Sequence, residues 1–219
     1  MPWPETLVLV RHAESEGNIM EVNERAQALI ANYRFPLTPR GEKQAALTGD
    51  YLRQTFGSFD RHYYSYYERA RQTLAIMCPD SQKIEDARLA EGQRGIWHTM
   101  TMEQVKLRFP EEIERKEKED LYHYRPLGGE NWPDIELRIQ SFLDMLQRDC
   151  GGKKVLVVTH GHWLILFQKI MQSLPIEEVM LQLDQGVFKN ASVMTYRSTA
   201  PFKSLRLESK DVIPWQGCV

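Results

Sequence analysis

The sequence predicts an α/β fold in which a mostly parallel sheet is covered by helices. Three observations carry that prediction. Short β-branched or apolar runs alternate with segments of helical period along the chain. Two of the runs, at residues 6–11 and 155–159, read as buried core strands. The helical segments between runs open and close with recognisable cap and stop signals.

The elements follow in order. Residues 6–11, 62–65, 83–89, 155–159 and 192–196 are the strand candidates. After the first, Thr38-Pro39 reads as an N-cap with a first-turn proline, and Ala45, Gly49, Leu52 and Phe56 fall on one core-facing helical stripe. After the second, Tyr66 to Thr73 starts a helix that carries Arg69 and Arg71; one of the two is expected on a solvated face. Asn131, Pro133 and Asp134 open the helix of clearest period, with Ile135, Ile139, Phe142, Leu143 and Leu146 recurring at three- and four-residue steps until Gly151-Gly152. Between these, residues 93–131 behave as a helical excursion that caps a site. Its middle, residues 111–120, holds six acids and three bases against a single aliphatic residue, Ile113, and reads as solvated. No linker or repeat interrupts the chain, so residues 1–219 are expected to form one domain.

Composition narrows the function classes. Hydrophobic residues at 42% and charged residues at 26% are those of a folded globular protein. A net charge of -2 gives no global positive field, so nucleic acid and anionic membrane are not expected as partners and any anion site must be local. Neither a basic leader nor a long apolar stretch follows Met1-Pro2-Trp3-Pro4-Glu5, and Cys78, Cys150 and Cys218 fit no disulfide framework. The expected setting is a reducing cytoplasm.

The groups able to do chemistry gather at strand ends, where open α/β sheets bind ligands. The first strand ends in Arg11-His12, followed by Ala13-Glu14-Ser15-Glu16-Gly17-Asn18, and the strand at 155–159 ends in His160-Gly161. Two core strands therefore deliver imidazoles to one sheet edge. Arg69 and Arg71 lie near a helix start, where an arginine can fork two hydrogen bonds onto phosphate oxygens. Glu91, just past a strand and close to Gly92, Gly95 and Trp97, is expected to be partly desolvated, with a raised pKa suited to proton donation.

Six runs in order resemble the histidine phosphatase superfamily, also called phosphoglycerate mutase-like. They are Arg-His-x-Glu-Ser-x-Gly-Asn from Arg11, Arg-Ala-x-Gln-Thr from Arg69, Glu-x3-Gly-x-Trp from Glu91, Gly128-Gly129-Glu130, Thr159-His160-Gly161, and Asn190-Ala191-Ser192-Val193. The resemblance spans about residues 6 to 196. It implies a three-layer fold with a mostly parallel mixed sheet flanked by helices, and a helical cap insertion at about 93–131. It also implies a phosphohistidine mechanism with His12 as nucleophile, Glu91 as general acid and base, and Arg11, Arg69 and His160 stabilising charge. Asn18 matches a phosphate-binding asparagine; Ser15 and Gly161 are further candidates for phosphate contacts. The chain departs from the family at Ala13, where glycine is usual, and at His98-Thr99 after Trp97.

The function that follows is hydrolysis of small phosphate monoesters. Its nearest rival is a cofactor-dependent phosphoglycerate mutase, for which Arg94, Arg125 and His98 would supply extra charge. A rival of another class is a non-catalytic phosphate-binding module, which predicts loss of one of the five central residues; none is missing. No metal and no cofactor are expected: His160 and His162 lie two apart without a ligand cluster. Neither Cys78 nor Cys150 has an arginine six positions later, and Gly151-Gly152-Lys153-Lys154 precedes its strand, which excludes a nucleotide-cradling loop. Tyr122, Tyr124 and Trp132 flank the cap and are expected to anchor it, with stacking on a substrate as the second option.

Overall fold

The computed structural model describes residues 2–186, 188–199 and 203–219. Its strands are β1 (Thr6–Arg11), β2 (Arg61–Tyr64), β3 (Lys83–Glu85), β4 (Lys154–Thr159), β5 (Val193–Ser198) and β6 (Leu205–Val212), in one mixed sheet ordered β3-β2-β4-β1-β5-β6. The pairs among β1, β2, β3 and β4 are parallel, whereas β5 runs antiparallel to both β1 and β6. The helices are α1 (Glu16–Ile19), α2 (Val22–Ala26), α3 (Pro39–Phe56), α4 (Glu68–Met77), α5 (Met102–Arg108), α6 (Pro110–Lys118), α7 (Trp132–Asp149), α8 (Gly161–Gln172) and α9 (Ile176–Asp184).

The three-layer architecture follows from alternation along the central strands. Leu7, Leu9, Val155 and Val157 face one core with Ile139, Phe142, Leu146, Trp163 and Phe167 of α7 and α8. Val8, Val10, Leu156 and Val158 face the other with Ala45, Leu52 and Phe56 of α3 and Ala70, Leu74 and Met77 of α4. Strands buried on both faces must be apolar at every position, which is why β1 and β4 read as continuous runs. The chain leaves β1 toward the α3 face and leaves β4 toward the α8 face, so a crevice opens between their carboxyl ends.

Helix boundaries follow local chemistry. Thr38 accepts a hydrogen bond from the Gly41 N–H ahead of Pro39, and Asn131 accepts one from Asp134, whose carboxylate returns to the Asn131 N–H. Two expectations change. The run at 83–89 is strand only as far as Glu85, because the Asp86 side chain accepts from the Arg88 N–H and starts a 3₁₀ turn over Ala87–Leu89. β6 is an edge strand with mostly polar, part-exposed residues, so it lacks the apolar run that marks the others.

The cap returns to the core through glycine. A Cβ on Gly95, whose φ is +51°, would sit 2.0 Å from the Leu127 carbonyl oxygen, and one on Gly129 would sit 2.5 Å from that of Gln93. Glu130 completes this clasp: its N–H donates to the Gln93 carbonyl, and its carboxylate accepts from the Gln93 N–H and pairs with Arg138. The acidic stretch is mostly solvent-exposed, with one correction. Glu112 is buried and accepts from Arg115, the Tyr124 hydroxyl and the Leu127 N–H. Tyr122 and Tyr124 are buried with hydroxyls donating to Glu136 and Glu112, so they anchor the cap. Among the described residues no helix is long and apolar enough to cross a membrane, and no cluster of three or more His, Cys, Asp or Glu is placed to hold a metal ion.

Candidate active site

Register places the two imidazoles. β1 and β4 run parallel from Thr6 opposite Lys154 to Arg11 opposite Thr159, so the next residues, His12 and His160, leave the sheet side by side. Their ring centroids are 5.0 Å apart and both side chains are buried.

The state of His12 is set by its neighbours. Its Nδ1 lies 2.7 Å from the Ala13 carbonyl oxygen, which can only accept, so Nδ1 carries the proton and Nε2 the lone pair. Arg69 Nε donates to that Nε2 at 3.1 Å. Burial, then Arg69, His160 and Arg11, hold the His12 pKa well below the usual imidazole range, so the ring is neutral. His160 accepts from Arg69 at Nδ1 (3.4 Å), leaving Nε2–H to donate to Ser65 Oγ at 2.8 Å. Tyr67 packs edge-on against His160 with centroids 4.7 Å apart.

Arg69 is buried and reaches three partners with three nitrogens: His12, His160 and the Asn32 carbonyl. Burial lowers its pKa to about 10 against the pull of Glu91, so it stays cationic. Arg71 lies exposed in an ion pair with Glu68 and is the solvated member of the two. Arg11 donates through Nη1 to the Phe188 carbonyl, and its Nε is buried without a partner. A buried cationic N–H left over in such a place suits an anionic guest.

Behind β1, Asn18 Oδ1 accepts from the Ser15 N–H and hydroxyl and from Asn190 Nδ2. The Asn18 carbonyl end is thereby fixed, which leaves its Nδ2 as the donor available to an anion. The same geometry directs the Ser15 hydroxyl proton to Asn18. Asn190 also donates to the His12 carbonyl, and its own carbonyl accepts from Trp215 Nε1 at 2.7 Å, which docks the C-terminal segment here. Ala191 adopts φ 53°, a conformation that costs a non-glycine residue on the order of 1 kcal/mol. Gly161 opens α8 directly behind His160.

Glu91 is the one group whose state differs from expectation. Burial pushes its pKa up, but His162 at 3.3 Å, His160 and the Gly92 N–H outweigh burial and hold it well below the usual carboxylate range. It is therefore ionised in the free protein. The sequence shows the desolvation but not the His162 contact, because spacing marks His162 only as lacking a metal-ligand cluster. Ser65 also goes unmarked in the sequence, although it ends β2 just as His12 ends β1. Ala13 needs no glycine: its φ is not positive, and the site uses only its backbone, including an N–H donated to Thr73.

Two cavities adjoin the pocket. One of about 860 Å³ is lined by Arg25, Asn32, Tyr33, Tyr67, Gln93 and His98 among others. Another of about 340 Å³ lies across the Gln93–Arg94 segment, against Trp97, Trp132 and His162.

Comparison with known proteins places the chain among relatives. The chain is 31% identical over 191 residues to a 2,3-bisphosphoglycerate-dependent phosphoglycerate mutase of Rhizobium etli, covering 83% of this chain and 87% of that protein. It is 31% identical over 157 residues to phosphoserine phosphatase 1 of Hydrogenobacter thermophilus, covering 70% of each. Its fold is similar to the alpha-ribazole phosphatase of Shigella flexneri, with a TM-score of 0.74 at 22% identity over 95% of this chain and 98% of that one. A mycobacterial glucosyl-3-phosphoglycerate phosphatase superposes with a TM-score of 0.71 at 23% identity over 95% and 99%. Residues 7–205 match one family as a whole, and the chain belongs to the histidine phosphatase superfamily (branch 1), whose members are phosphatases and mutases.

Proposed function

We propose that this protein is a phosphatase that hydrolyses small phosphate monoesters through a covalent phosphohistidine on His12. The observation that carries the reading is the locked, neutral His12, whose Nε2 accepts from Arg69 and whose ring has His160 and Arg11 as neighbours. Nε2 attacks phosphorus in line, and the P–O bond to the leaving group breaks as Glu91 protonates the departing oxygen. Water then attacks the phosphohistidine with Glu91 as base, the N–P bond breaks, and phosphate leaves. Negative charge spreads over three equatorial oxygens in the transition state, so preplaced donors contribute most of the stabilisation. Arg11, Arg69 and Asn18 carry those donors, and His160, whose Nδ1 accepts from Arg69 and whose Nε2–H is given to Ser65, holds Arg69 in place and becomes a donor only once a phosphoryl oxygen replaces Ser65. A dianionic phosphoryl group entering beside Glu91 raises the proton affinity of that carboxylate, which readies it as the acid.

A mutase is the second reading, favoured by the Rhizobium relative. A mutase must hold a doubly phosphorylated intermediate and keep water out. Of the three cap groups available for that, Arg125 is paired with Asp134, and His98 is lowered to about 4, chiefly by burial and then by Arg94 and Arg25, so it is neutral. Arg94 alone remains. The 860 Å³ cavity also carries exposed residues such as Leu29 and Ile30 in its wall, which admits water. Both observations support hydrolysis.

Labelled phosphate ester mixed with enzyme and quenched in acid or base tests the chemistry. The bound label is expected to survive base and disappear in acid, as a phosphoramidate does, and to be absent from His12→Ala; the reverse stability defeats a histidine intermediate. Turnover of 3-phosphoglycerate with and without 2,3-bisphosphoglycerate separates the two readings. Free phosphate without isomerisation is expected.

A further inference from the structure

We propose that His162 is a positioning residue that fixes the Glu91 carboxylate and supplies the proton Glu91 delivers, exchanging it with water through the cleft beside Trp132. The inference rests on the phosphatase reading and goes beyond it.

The geometry is specific. Glu91 Oε1 accepts from the Gly92 N–H at 3.0 Å, and Oε2 lies 3.3 Å from His162 Nδ1, so both carboxylate oxygens are held. His162 is the second residue of α8, two positions after His160, and the first helical turn aims the two imidazoles differently: His160 packs on His12, His162 on Glu91. The His162 ring meets the edge of Trp132 with centroids 6.2 Å apart and lines the 340 Å³ cleft. Its side chain is 27% exposed against 17% for Glu91, so the imidazole is the more open of the two to solvent.

The chemistry needs such a group. Glu91 is ionised beside Arg11, Arg69 and His160, yet must be protonated when the P–O bond breaks. Imidazole is the side chain that changes charge between pH 5 and 8. In the first half-reaction the proton on His162 Nδ1 passes to Glu91 and on to the leaving oxygen, as the electron pair of the P–O bond departs with that oxygen. In the second, the attacking water loses a proton to Glu91 and thence to His162, while the N–P pair returns to His12. The cycle closes with the proton back on His162, where the cleft lets it equilibrate with water between turnovers. The other charged groups around the pair are Arg11 from β1, Arg69 from α4, His160 before α8 and His98 from the cap on the Glu91 side. Arg94, Lys116 and Glu130 lie across the cleft, and Glu130 is tied to Arg138. His160 and His98, both held below the usual imidazole range chiefly by burial, are neutral near pH 7.

Wild type, His162→Gln and Glu91→Gln are compared on a series of aryl phosphates running from 4-nitrophenyl phosphate, whose leaving oxygen needs no proton, to 4-methoxyphenyl phosphate, whose leaving oxygen does. In His162→Gln, kcat/KM is expected to fall on the order of tenfold further for the methoxy ester than for the nitro ester, with the trend of Glu91→Gln but smaller. The alkaline limb of the pH profile on the methoxy ester is expected to move to lower pH, because Glu91 then holds its proton alone. Equal losses across the series, an unchanged rate, or an unmoved limb overturns the proposal. His162→Asn runs alongside as a second variant, and the nitro ester rate reports that either variant is folded. A wild type inactive on every ester would instead strike at the phosphatase reading.

Discussion

In the proposed reaction His12 owes its reactivity to one carbonyl, which decides its tautomer. The Ala13 oxygen takes the Nδ1 proton, and the depressed pKa prevents a second proton from occupying Nε2. Arg69 then matters more than a single phosphate ligand would. Its Nε, Nη1 and Nη2 hold His12, Asn32 and His160 at once, and a lysine ammonium cannot span that fork. Arg69→Lys is expected to lower kcat on the order of 10²-fold, close to the loss for Arg69→Ala, with a smaller change in KM, as measured on 4-nitrophenyl phosphate. Recovery of most activity by lysine would mean that charge alone is at work. Asn18 and Ser15 act together, since the serine hydroxyl and Asn190 fix the amide oxygen and leave the amide nitrogen to turn toward an anion.

Among the elements, the cap depends on a buried carboxylate inside a helix that looks fully solvated in sequence. Glu112→Ala leaves the Tyr124 hydroxyl and the Leu127 N–H without their acceptor, each worth about 1–3 kcal/mol when buried and unpaired. Cleavage by a protease within residues 110–120 is expected to accelerate at least tenfold, with the Leu127 amide losing exchange protection; an unchanged digest would show that the cap is held elsewhere. This case marks where sequence reading stops. Periodicity locates α3 and α7, and strand-end logic points to Arg11, His12, Glu91 and His160, because buried runs and caps leave a local signature; Arg69 is told from Arg71 only by the family resemblance. Glu112, His162 and Trp215 leave none: each is defined by a partner distant in the chain or by one carboxylate that charge counting cannot tell from its neighbours. β6 is not legible because an edge strand is not obliged to be apolar on either face.

At the scale of the whole molecule, the two cores and the sheet between them bury imidazoles in the neutral state, and that couples folding to pH. His12 and His160 are held well below 6.5 and His98 at about 4, in each case first by burial and then by neighbouring arginines. Below pH 6.5 the unfolded chain therefore binds protons that the native state refuses, and stability falls as pH falls. The stabilisation is fully present above 6.5 and is lost progressively toward the folded values, about 4 for His98 and well below the usual imidazole range for the buried pair. Glu91, depressed from 4.5, adds a second loss below that pH. Urea midpoints measured in phosphate-free buffers, since bound phosphate stabilises the native state, are expected to be level from pH 8 to 7 and to drop between pH 6.5 and 5. His98→Asn is expected to flatten part of that drop without moving the plateau. A midpoint that holds steady down to pH 5 would mean that the buried imidazoles accept protons in the folded protein, and the neutral nucleophile assigned to His12 would have to be abandoned with them.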